Sequence, residues 1–300
     1  MKNKTFKIMV AIDPTVKELR PGKSELAWLK KCAQERQSEV QAVHISLGNG
    51  SRSISYAEFS DYVFNLHLGK NINSTVIQEE SSSRHKAIQS LILFLVLEQS
   101  DLVVVSSHGR SGPGRIVLGS FAESLLASSP VPVLFLSEDV DEANRSNKIL
   151  FPTDFSETSK RTLALFLKHL EGFRGELVLY HAISIPASIF ETGMMGIPIF
   201  VPDNYWSDQQ AWAKREIEDL SINVRDAGFI VRTVIQDNVL NVASAIREFA
   251  SNEQVTLIGM ASARVDVETS LLGAVAKGIF RQRKWPVWVC GPGTKFKEDN

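Results

Sequence analysis

Ile8-Met-Val-Ala-Ile-Asp13 is an apolar run that stops on an aspartate followed by proline, and Ile149-Leu-Phe-Pro-Thr-Asp154 repeats it in mid-chain. A short apolar run bounded by turn residues reads as a buried β-strand. The two aspartates lie 154 − 13 = 141 residues apart. Further landmarks recur in the same order. Val40-Gln-Ala-Val-His44-Ile45 matches Leu177-Val-Leu-Tyr-His181-Ala182 at an offset of 137. Asp101-Leu-Val-Val-Val105 matches Val255-Thr-Leu-Ile-Gly259 at 154, and Val131-Pro-Val133 matches Trp285-Pro-Val287 at 154. Four strand pairs in one order define a duplication.

Helical patterns fill the gaps at 24–36, 84–99 and 120–128, then at 158–170, 208–227, 239–250 and 274–283. Strands alternating with helices point to βαβ units around a parallel sheet, and near-continuous apolar strands point to a sheet covered on both faces. The expected architecture is α/β: two tandem doubly wound parallel-sheet domains, at 1–138 and 147–292, joined by an acidic, polar linker. The jump in offset from 137 to 154 places an insertion in the second copy, read at 186–206, which holds Phe190, Met194, Met195, Ile199, Phe200 and Trp206.

Composition excludes several classes. The 300 residues carry 33 basic and 34 acidic side chains and are 44% hydrophobic. That balance removes the electrostatic case for a nucleic-acid or acidic-membrane partner. Cys32 and Cys290 are too few for a disulfide framework, and the six histidines make no HxH or HxxxH pair that would suggest a metal site. The N-terminal apolar run ends at Asp13, short of a signal-peptide core, and the run 91–97 is far below a spanning helix. A cytoplasmic protein is expected.

Ligands of an open parallel sheet bind beyond the carboxyl ends of its strands. Asp13 ends the first strand. The fourth is followed by Ser107-His-Gly109-Arg110-Ser-Gly-Pro-Gly-Arg115, then Gly119-Ser120 opening a helix. Glycines let a backbone approach a ligand closely, and a helix start offers unpaired N–H groups to phosphate. The same connection also reads as a plain turn with Ser120 as an N-cap.

These residues resemble the universal stress protein family in its tandem form, over nearly the whole chain. The family's loop runs Gly, two residues, Gly, nine residues, then Gly with Ser or Thr; Gly109, the nine residues 110–118 and Gly119-Ser120 match it, while Ser106 stands at the first glycine. The resemblance implies ATP, taken as its magnesium complex, held by Asp13, Ile45, Ser106, Gly109, Arg110, Gly119 and Ser120. It also implies pairing of the two halves through 131–136 and 286–290, with Trp285 and Trp288 in the joint, and leaves room for a homodimer and a protein partner. In the second copy, an ungapped loop puts Met260 at Ser106, Ala263 at Gly109, Gly273 at Gly119 and Ala274 at Ser120, with Asp266 and Glu268 where phosphates would lie. That copy reads as degenerate.

Other features carry no chemistry. Gly22-Lys23-Ser24 lacks the glycine five residues earlier that a P-loop needs, since Lys17 stands there. His44 and His181 read as structural, His108 as a turn residue, and the loop serines form no GxSxG elbow. No catalytic constellation emerges, so at most slow ATP hydrolysis is expected. The alternative is a scaffold that binds no nucleotide and uses 186–206 for partners. A nucleotidylyl-transfer enzyme would need an HxGH-type loop, and Asp13-Pro14-Thr15 stands in its place.

Overall fold

In the computed structural model the apolar runs become the middle of one ten-stranded sheet. The structure describes residues 5–15, 21, 25–26, 29–30, 33–34, 36–48, 54–68, 72–81, 83–106, 120–137, 147–185, 204–262, 273–280 and 284–296. The first half contains β1 (Lys7–Ala11), β2 (Glu39–Leu47), α1 (Tyr56–Asn65), β3 (Asn73–Glu79), α2 (Arg84–Leu97), β4 (Leu102–Ser106), α3 (Ser120–Ser128) and β5 (Val133–Leu136). The second contains β6 (Lys148–Pro152), α4 (Glu157–His169), β7 (Glu176–Ser184), α5 (Tyr205–Asp226), β8 (Ile230–Val239), α6 (Val242–Asn252), β9 (Leu257–Ala261), α7 (Ala274–Phe280) and β10 (Val287–Cys290). Residues 25–26, 29–30 and 33–34 are also helical, within the segment expected at 24–36.

The strand order is β3-β2-β1-β4-β5-β10-β9-β6-β7-β8. Each half is parallel with the same internal order, and the halves join antiparallel through β5 and β10, with Val287 opposite Phe135 and Val289 opposite Val133. The order reads the same from both edges, as two copies related by an approximate twofold axis require. Successive residues alternate between two apolar layers. Ile8 and Val10 face the layer of α1, α4 and α5, whereas Met9 faces that of α2, α3, α6 and α7. Both tryptophans of the joint are buried, Trp285 in the second layer and Trp288 in the first. Phe135 and Phe280 meet edge-on across it with centroids 4.8 Å apart. Burying side chains of this size contributes about 1.5–3 kcal/mol each, enough to hold the halves as one sheet.

The structure adds a fifth strand to each half, β3 and β8, and the helix α1. Both strands are sheet edges with mixed polar sequence, which hides them from a search for apolar runs. The signal for α1 was present as Ser55-x-x-Glu58: Ser55 Oγ accepts from Glu58 N while Glu58 Oε2 accepts from Ser55 N at 2.8 Å, a capping box. At 239–250 the helix begins later than expected. Val239 ends β8 instead, and Asn241 caps α6 by accepting from Ser244 N at 2.9 Å.

Strand register corrects the alignment of the two copies. Ile8 pairs with Leu102, and its counterpart Ile149 pairs with Leu257, so the offset at the fourth strand is 257 − 102 = 155. Equivalent left-handed residues agree: Gln99 at φ 52 and Gln254 at φ 54. At the third strand, His44 pairs with Val76 and His181 with Ile235, an offset of 235 − 76 = 159. The extra residues of the second copy therefore lie between β7 and β8. Residues 186–203 of that stretch are outside those described, as is 138–146 of the linker. Trp206 belongs to α5, where it packs against the first layer.

Candidate functional site

β1 sits between β2 and β4, with Ala11 opposite both Val43 and Val105. The chain leaves β1 toward the helical segment of the first layer and leaves β4 toward α3 in the second. The crevice between two adjacent strands whose connections diverge is where a doubly wound sheet takes a ligand. Asp13 lies two residues beyond Ala11, and Ser106 one beyond Val105, so the register brings Asp13 and Ser106 to neighbouring strand ends.

Asp13 is held by its own turn. Its Oδ1 accepts from Thr15 N at 3.0 Å and from Thr15 Oγ1 at 2.6 Å. Its side chain is 37% exposed, and among the described residues no donor reaches Oδ2. A carboxylate oriented through one oxygen keeps the other as an acceptor for a ligand hydroxyl or amine. Beneath it, His44 Nδ1 lies 3.0 Å from Ile12 O, and because a carbonyl only accepts, this nitrogen carries the proton. His44 is buried and packs on Phe59, with centroids 5.6 Å apart. It is a structural strut below Asp13.

Ile45 is half-buried on the second-layer face of β2, in register with Ile77 of β3. Ser106 is half-buried at the end of β4, opposite Leu136. Ser120 is the first residue of α3, which puts a helix N-terminus after the same strand. Gly109, Arg110 and Gly119 lie outside the described residues. The structure thus brings Asp13, Ile45, Ser106 and the start of α3 to the carboxyl end of one sheet.

The second copy repeats the turn and sets aromatic rings beside it. Asp154 Oδ1 accepts from Ser156 N at 3.0 Å and Ser156 Oγ at 2.7 Å, and His181 Nδ1 donates to Thr153 O at 2.8 Å. Burial lowers the pKa of His181 and keeps it neutral. Beside it, Phe155, buried and left-handed at φ 62, lies against His181 at 4.4 Å and meets Trp212 of α5 edge-on at 5.3 Å. Phe155 stands where the first copy has Pro14, and His181 where it has His44. Tyr180 replaces Val43 and donates to Gln236 Oε1 at 2.6 Å; burial pushes its phenol up to about 12.

The register also overturns one assignment in this copy. Met260 does not stand at the position of Ser106. At the observed offset it matches Val105, and like Val105 it is buried in the second layer. Ala261 takes the place of Ser106. Because α3 and α7 start at Ser120 and Ala274, an offset of 154, the connection between β9 and α7 is one residue shorter than that between β4 and α3. The ungapped reading from Ser106 to Ser120 therefore does not hold.

Among the described residues no group of three or more His, Cys, Asp or Glu side chains is placed to hold a metal ion. No described helix is long and apolar enough to cross a membrane.

Two doubly wound α/β units of the adenine-nucleotide α-hydrolase-like type, fused edge to edge with an aspartate at the end of each first strand, define the class. The model of the universal stress protein family matches residues 5–137 and again 146–291, and the chain belongs to that family as a tandem, two-domain member. It is 29% identical to a universal stress protein of Methanocaldococcus jannaschii over 159 residues, covering 47% of this chain and 93% of the relative. Over its full length it is similar in fold to a universal stress protein from Archaeoglobus fulgidus (TM-score 0.66, 18% identity, 96% of this chain and 98% of that one). A putative universal stress protein from Pseudomonas aeruginosa is similar to the same degree (TM-score 0.66, 16% identity, 96% and 94%).

Proposed function

We propose that this chain is a cytoplasmic stress-response protein that binds ATP in its first domain, residues 1–138. Its second domain, residues 147–292, has lost that capacity and serves as a structural or partner-binding half. The observation that carries this reading is the asymmetry between two otherwise equivalent turns. Both aspartates accept through Oδ1 from their own turns, but Pro14 follows Asp13, whereas the turn of Asp154 carries Phe155 of the Phe155–His181–Trp212 cluster and its half has a connection one residue shorter.

The residues of the first site suit an adenine nucleotide. Asp13 supplies an acceptor for a ribose hydroxyl or the adenine amine, and Ile45 an apolar edge. The start of α3, with Gly109, Gly119 and Ser120, supplies N–H donors and a partial positive charge for phosphates, and Arg110 adds a cation. Magnesium would enter with the nucleotide. The role proposed is binding, with at most slow hydrolysis. Occupancy would then be reported to a partner.

The test is calorimetric titration of ATP–Mg into purified protein, repeated with Asp13→Ala and Asp154→Ala. One site, lost only in Asp13→Ala, is expected. Two sites would restore the second domain as a binder. No heat from protein shown by mass spectrometry to carry no nucleotide would overturn the reading, and a scaffold closed by Ser106 would take its place.

A further inference from the structure

Leu134 and Trp288 stand opposite each other across the β5–β10 joint. They are also counterparts, since 288 − 134 = 154 is the offset of those two strands, so the pseudo-twofold axis passes between them. On the first-layer side of the sheet a cavity of about 30 Å3, partly open to solvent, lies at this axis. Both halves line it, Leu102 with its counterpart Leu257 and Leu134 with Trp288. Asp13, Ile45 and Ser106 are not among its lining residues, so it is separate from the site proposed above and does not depend on nucleotide binding.

Two lining residues are polar. His169 Nδ1 accepts from Trp288 Nε1. Arg36 supplies a fixed positive charge: its side chain is 16% exposed, and its Nε is buried with no hydrogen-bond partner among the described residues. A buried N–H left without an acceptor is costly, and a guanidinium satisfies a carboxylate best through two parallel N–H donors. One terminal nitrogen, Nη1, already pairs with Glu171, whose side chain is 71% exposed. A carboxylate therefore reaches this guanidinium from solvent, and an exposed one can give way to another. The Phe6 ring, 4.9 Å from the guanidinium carbon, holds Arg36 at the cavity.

Size selects the rest of the ligand. One water needs about 10–15 Å3 of such space, but apolar walls offer it few partners, whereas a cavity that takes benzene measures about 150 Å3. The space at the axis lies between these limits and suits the end of a short aliphatic chain. We propose that the seam between the two halves binds a short-chain aliphatic carboxylate, with its alkyl end in the cavity and its carboxylate on Arg36 in place of Glu171. Because both halves build the cavity, the site exists only in the joined molecule.

The probe is butyrate, titrated into the isotope-labelled full chain while the Arg36 Nε–H signal is followed by nuclear magnetic resonance; saturation transfer to the butyrate protons reads the variants. Saturable binding with a dissociation constant of about 1–10 mM is expected. Glu171→Gln, which removes the competing carboxylate, should tighten it about three- to tenfold, and Arg36→Met should weaken it about tenfold or more. Acetate, without the chain, and butanol, without the charge, should each bind about tenfold more weakly than butyrate. Glu171 is exposed, so Glu171→Gln keeps the test decisive should Arg36→Met fail to fold. No saturable binding in wild type and Glu171→Gln, or an affinity indifferent to both substitutions, would overturn the proposal. Acetate binding as tightly as butyrate would overturn the placement of the alkyl end. Butyrate that moves the amide signals of Asp13 and Ser120 rather than Arg36 would put the carboxylate at the start of α3 and overturn the site.

Discussion

Trp288 Nε1 donates a hydrogen bond to His169 Nδ1 at 3.2 Å, inside the layer that joins the two halves. An indole N–H cannot accept, so His169 presents a lone pair at Nδ1 and carries its proton on Nε2. The pair is enclosed by aromatic surface from both copies: Phe6 of the first half meets His169 edge-on at 4.8 Å, and Phe166 lies 4.8 Å from Trp288. Arg36 extends over the Phe6 ring and pairs with Glu171, tying the first half to the end of α4. The Arg36–Glu171 pair thus adds a polar contact between the copies beside this aromatic one.

Trp288→Phe should remove that donor while keeping most of the ring. The expected loss is about 1–3 kcal/mol, from an unsatisfied buried acceptor and a small void. Urea unfolding followed by tryptophan-independent circular dichroism would measure it, and the transition should remain single if the two halves unfold together.

Gly259 owes its identity to Phe166. A Cβ at this position would overlap the Phe166 ring, which fills the space that Val104 fills in the first copy. Gly259→Ala should therefore cost about 1–3 kcal/mol, as overpacking of a closed core does. Adding Phe166→Leu should return part of that loss, and a double-mutant cycle of chemical-denaturation free energies would show the coupling.

Glu253 should make stability depend on acid. Arg232 donates to both its oxygens, at 2.8 and 3.0 Å, and Lys148 to one at 2.7 Å, which together hold its carboxyl at about 2 against an ordinary 4.5. The folded value is the lower one, so the contribution is full above about 4.5 and disappears as pH falls through about 2. Glu253→Gln should flatten the stability–pH curve in that window and cost about 1 kcal/mol at neutral pH, because the group is partly solvated. Thermal melts from pH 2 to 7 would check both.

Ser106→Gly addresses the proposed nucleotide site. Serine puts a Cβ at the end of β4 where the family's loop has glycine, and removing it frees the backbone to approach phosphate. ATP affinity should rise by about three- to tenfold, read by the calorimetric titration, with Asp13→Ala still abolishing it. An unchanged affinity would mean that the serine side chain already points clear of the ligand.

The closing of the sheet through 131–136 and 286–290 followed from the family resemblance; the duplication, the strands of the sheet interior, and Asp13 and Asp154 as matched turn residues were legible in the residues themselves. Those features are written locally, as apolar runs that end on a turn former. The register of the fourth strands, and hence which residue stands at Ser106, emerged from packing alone. A strand buried on both faces is apolar at every position, so a one-residue slip from 155 to 154 leaves the pattern unchanged while turning every side chain to the opposite layer. Gly259 under Phe166, and Met260 beside the helices of the second layer, settle the choice through packing that no window of sequence contains. The edge strands β3 and β8 escaped for the complementary reason: half solvated, they carry too few apolar residues to announce themselves, and pairing to β2 and β7 holds them in place.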